Sequence, residues 1–98
     1  MTDDAVFRMA HAQLMGLKAN IRPNVTHREF IDFYHEIIDD LEGLAGDLSG
    51  FRVPLSAITM DQELAWCNSL DFRDKVEGLL DHFQVSEDRK TYEFVPAK

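Results

Sequence analysis

The first hydrophobic series in the chain runs Val6, Ala10, Leu14, Leu17 and Ile21, at three- and four-residue intervals, with Phe7 one step round. That spacing is a single apolar helix stripe. Asp3 and Asp4 stand where carboxylates meet the positive end of a helix dipole, and Pro23 drives Arg22 toward extended backbone. A first helix is therefore predicted over about 3–20. Met9 and Met15 fall off its stripe and mark either a second contact surface or ordinary exposed apolar side chains.

The next pattern is "THREFIDFYHEIIDDLEGL", residues 26–44. Thr26 and Glu29 have the spacing of a capping box, in which hydroxyl and carboxylate each satisfy a free backbone donor. At about 100° per residue, Phe30, Ile31, Phe33, Tyr34, Ile37, Ile38, Leu41 and Leu44 gather within an arc of roughly 160°. Glu29, Asp32, Glu36, Asp39 and Asp40 gather opposite. An amphipathic second helix over about 27–45 follows, with an acidic outer face, stopped at Gly43, Gly46 and Asp47.

"GDLSGFRVP", residues 46–54, reads as a loop whose Leu48, Phe51 and Val53 lie back on the core. A weaker capping pair, Thr59 and Gln62, precedes a predicted third helix of about 60–69 with Met60, Leu64, Trp66, Cys67 and Leu70 on one side. Asp71 is the expected cap of a fourth helix, about 72–84, whose stripe is Phe72, Val76, Leu79, Leu80 and Phe83, with Gly78 inside it to permit a close helix approach. In the tail, 86–98, polar "SEDRK" leads to "TYEFV", which alternates as a short strand does but has no evident strand partner. The expectation is an all-α single domain spanning 1–98, a four-helix domain with a short C-terminal extension.

Ninety-eight residues at 45 % hydrophobic composition supply one core and no second. The formal charge is −8, and residues 28–47, with seven carboxylates and one cation, carry −6 of it. Phosphate contacts need cations, so this charge argues against nucleic acid and anionic lipid and favours a basic or neutral protein partner. A lone cysteine, Cys67, forms no internal disulfide, the start is acidic with no apolar signal-like run, and no stretch suits a membrane span. A cytoplasmic protein is expected.

For chemistry the richest constellation is His35, Asp39 and Glu42, spaced at four and three residues so that all three face one point, as a helix-borne metal site requires. Three ligands fall short of a closed zinc site, and the Glu-x-x-His repeat of di-iron bundles is missing; His11 and His82, on other helices, would have to complete the set. His35 is accordingly expected as a solvated flank residue. Cys67, beside Trp66 and Leu64, is expected to be buried and unreactive. Ser49 and Ser56 sit in no nucleophile elbow, and His27, in the first helical turn where a cation opposes the dipole, is expected to be packed instead of ligating. The chain is not expected to be an enzyme, and no cofactor is expected.

Binding through surface remains. The acidic outer face of the second helix, Glu29, Asp32, Glu36, Asp39 and Asp40, is more than two turns long and suited to steering a basic protein partner. The expected function is a small acidic protein-binding module or inhibitor. Bacteriocin immunity proteins, antitoxins and phage-encoded inhibitors share its size and charge, but no motif links the chain to them. The alternative is a metal-binding or regulatory bundle using His35, Asp39 and Glu42. Homo-oligomerisation through Met9, Met15 or "TYEFV" is compatible with either.

Overall fold

The two long periodic segments form helices near their predicted bounds, α1 over Asp3–Ala19 and α2 over Arg28–Ala45. They pack side by side, with Leu14 and Leu17 of α1 against Ile31, Ile37, Ile38 and Leu41 of α2 in one buried core. The computed structural model describes residues 3–61 and 64–95. Before and after α2 the chain departs from the all-α expectation, and the domain is α+β.

Short strands β1 (Val25–His27), β2 (Thr59–Asp61) and β3 (Leu64–Asn68) form an antiparallel sheet ordered β1-β3-β2. The predicted third helix over 60–69 is thus two strands of a hairpin. Along β3, Ala65 and Cys67 are buried while Leu64 and Asn68 are exposed, a period of two. Met60, Leu64 and Leu70, expected on a buried side, are exposed. The segment is too short to separate the two periods locally, and its deciding partner is β1, some forty residues earlier, where Thr26 lies opposite Cys67. Thr59 is in β2 opposite Trp66, and Gln62 of the expected capping pair lies outside the described residues.

That strand also overturns the first capping box. The residue preceding α2 in extended geometry is His27, with no side-chain cap. Thr26 points inward, its Oγ1 2.9 Å from Ser69 Oγ. At the end of α2, Gly46, at φ +90°, donates its N–H to the Glu42 carbonyl in a conformation that disfavours a side chain, whereas Gly43, also expected in the stop, lies inside the helix.

The last helix, α3, spans Ser69–Leu80 instead of 72–84. Its cap is Asn68, not Asp71: Oδ1 accepts from the N–H groups of Leu70 at 2.8 Å and Asp71 at 3.3 Å. Phe83–Val85 leaves the helix as β4 and pairs antiparallel with β5, Tyr92–Phe94, supplying the partner that "TYEFV" lacked. Ser86 organises the turn between them, with Arg89 at φ 57°. The hairpin packs on α1 through Phe7 and Phe94, and Asp4 accepts the Tyr92 N–H at 2.7 Å. Residues 96–98 of the tail lie outside the described residues.

At the centre, Tyr34 is fully buried on the edge of Phe72, its hydroxyl 2.8 Å from the Phe51 carbonyl and 3.1 Å from that of Lys75. Burial pushes its phenol well above the ordinary range. Leu48 and Val53 close the core from the loop, with Phe51 half-buried. Gly78 is not a close-approach point, because a Cβ added there would meet nothing within 4 Å.

Candidate functional site

Helix α2 carries the candidate site, and its outer face is divided lengthwise. On one side Arg28 lies 3.4 Å from Asp32, and Arg52 reaches back from the loop to bond both Asp39 and Glu42. Glu42 also accepts the Leu48 N–H at 2.9 Å. That backbone donor, together with Arg52, holds its carboxyl below the usual carboxylate range, and the bonds to Asp39 and then Glu42 raise Arg52. These carboxylates anchor the loop that follows the helix.

On the other side Glu29, Glu36 and Asp40 are exposed and carry no ion pair among the described residues. At helical spacing they fall on one line, beside a second line formed by Phe33 and Leu44. Both of those apolar residues were expected in the core; Phe33 is 37 % exposed and Leu44 42 %. The arc that α2 buries, Ile31, Tyr34, Ile37, Ile38 and Leu41, is narrower than its apolar stripe.

His35 is not a solvated flank residue. It is half-buried, and its Nε2 accepts the Val53 N–H at 3.0 Å, which assigns the proton of the neutral ring to Nδ1. Burial, with Arg52 adding to it, lowers its pKa. The alternative metal constellation is therefore taken apart by its surroundings: the His35 lone pair faces a backbone N–H, and Asp39 and Glu42 face a guanidinium. Among the described residues no group of three His, Cys, Asp or Glu side chains is placed to hold a metal. His11 lies between the rings of Phe83 and Tyr92, with centroids 5.4 and 5.5 Å away. His82 Nδ1 lies 2.6 Å from the Val95 carbonyl. His11 is engaged at the β4–β5 hairpin, and the His82 ring packs edge-on against Phe51, with centroids 5.0 Å apart.

Cys67 is buried, and burial together with the Asp71 charge pushes its thiol up to about 11, the opposite of an activated nucleophile. His27 is exposed at the helix start, not packed. Of the surfaces offered for self-association, Met9 and Met15 are each 48 % exposed, whereas Phe94 of the tail is buried. No helix among the described residues is long and apolar enough to cross a membrane.

The feature missed in the sequence is a groove between α1 and α2. Two depressions of 420 and 430 Å³ follow one another along it and share Gln13. One is lined by Met9, Asp40 and Leu44, the other by Gly16, Phe30 and Phe33. The off-stripe position of Met9 was the available signal. Comparison with protein-family models, curated proteins and solved structures finds no match for this chain.

Proposed function

We propose that this chain is a protein-binding module, acting as an inhibitor or adaptor, that engages a basic protein partner through the outer face of α2. The reading rests on one observation: Glu29, Glu36 and Asp40 carry negative charge that no cation of the described residues balances, beside apolar side chains left in solvent. Such a surface attracts a cationic partner at long range and has area to bury once contact is made. Asp32 and Asp39 belong to the original face but are already countered by Arg28 and Arg52, so they contribute less. A reducing compartment such as the cytoplasm suits the unpaired, buried Cys67.

Untagged co-purification at low and high salt, with the partner identified by mass, supplies the binding assay. The triple variant Glu29→Gln, Glu36→Gln and Asp40→Asn should then melt like the parent while associating at least about tenfold more slowly at low salt. Asp32→Asn with Asp39→Asn should slow association less. Equal rates for parent and triple variant refute the proposal and make the acidic face a solvated surface.

A further inference from the structure

We infer that the partner segment is an amphipathic helix that lies in the α1–α2 groove with its apolar side chains on Met9, Phe33 and Leu44 and its lysines and arginines toward Glu36 and Asp40, an inference that rests on the basic-partner reading above. Three observations define this occupant. The groove is long: Phe33 and Leu44 are three turns apart on α2, about 16 Å along its axis. A docking helix presents anchors over that distance at i, i+4, i+7 and i+11.

The floor is apolar and adaptable. Met9 on α1 and Leu44 on α2 line one depression, Phe30 and Phe33 the other, and Gly16 leaves the α1 wall open, with nothing within 4 Å of a Cβ built there. Methionine and leucine beside an open glycine suit side-chain knobs, not a flat sheet. The rim is charged unevenly. Asp3 and Asp40 line the end that holds Leu44, while Arg22 lines the end that holds Phe33. The cations of the docking helix therefore concentrate toward the Leu44 end. The same charge argues against a second copy of this chain as occupant, since each copy carries −8 and would set its own carboxylates against Glu36 and Asp40.

The test uses the full chain and a synthetic peptide of about 18 residues, long enough to span the groove as a helix. Leucines lie on one face of this probe and lysines flank them in the half meant for the Asp40 end. The control is the same composition scrambled to destroy the amphipathic pattern. The helical probe should bind at least about tenfold tighter than the scrambled one, a difference of about 1.4 kcal/mol. Methyl NMR signals of Met9 and Leu44 should shift, while those of Leu55, Met60 and Leu64 stay in place. Phe33→Ser should weaken the helical probe about tenfold without changing the scrambled one. The NMR map reads the location on the parent protein even if that variant folds poorly.

Equal binding of both peptides, abolished by salt, overturns the groove inference and leaves the basic-partner reading standing. Binding by neither overturns both. Shifts centred on Leu55, Met60 and Leu64 place the occupant elsewhere and overturn the inference.

Discussion

Thr26 and Ser69 share a buried hydrogen bond, Oγ1 to Oγ at 2.9 Å, that joins the strand before α2 to the first residue of α3. Among the described residues each hydroxyl is the other's only side-chain partner, so removing one leaves the other buried beside an apolar group. Thr26→Val should destabilise the domain by about 1–3 kcal/mol, measured by urea unfolding. Adding Ser69→Ala should recover a good part of the loss, because the unsatisfied group is then gone. A double variant no more stable than Thr26→Val would show that this bond does not set the energetics.

Gly78 lies inside α3 and Gly46 caps the end of α2, and they predict opposite responses. A methyl group at 78 meets nothing and gains helix propensity, so Gly78→Ala should stabilise by up to about 1 kcal/mol. At 46 the backbone is at φ +90°, where any side chain is strained, and Gly46→Ala should destabilise by about 1 kcal/mol or more. Denaturant midpoints of the two variants check both signs.

Leu41 and Phe33 belong to the same periodic series but not to the same environment. Leu41 is fully buried, and Leu41→Ala should lower stability by roughly 2–5 kcal/mol. Phe33 is partly in solvent, and Phe33→Ala should lower it by only about 1 kcal/mol. Equal losses in thermal or urea unfolding would return Phe33 to the core.

Stability should fall on mild acidification. His35 and His11 both have folded-state pKa values lowered below 6.5, chiefly by burial, so the unfolded chain binds protons first as pH drops. Their contribution is fully present above the unfolded value and is lost as pH falls through 6.5 toward the lowered folded values. Urea midpoints between about pH 7.5 and pH 5 should record the decline. His35→Gln, which keeps an acceptor for the Val53 N–H, should flatten part of it.

Thiol reagents should report unfolding. With Cys67 buried and its thiol pushed up to about 11, labelling of the native chain should be slow and should accelerate in proportion to the unfolded fraction as urea is added. Rapid native labelling would require β3 to open on its own.

Helices α1 and α2 were legible because each repeats its apolar spacing over several turns, enough to overwhelm any alternative period. β3 was not, since five residues with Trp66 and Cys67 among them fit either period, and the sheet that selects one depends on Val25–His27, forty residues away. Thr26 followed by Glu29 resembles a cap on local spacing alone, and only the distant Ser69 shows why its hydroxyl turns inward. The acidic residues of α2 were readable one by one. Their separation into countered and free lines was not, because the decisive cation, Arg52, arrives from a loop whose path no helical period describes.

The strand preceding α2 has a consequence for how that helix meets anything at all. β1 runs directly into its first turn and is locked to β3 residue by residue, and at the other end Glu42 holds the Leu48 amide and Arg52. Contacts at both ends tie the α2 backbone to the rest of the domain, which sets the register of the positions on its outer face. A partner of the kind proposed above would meet an α2 backbone that is already ordered, so that on this side of the interface only side-chain freedom would be left to lose.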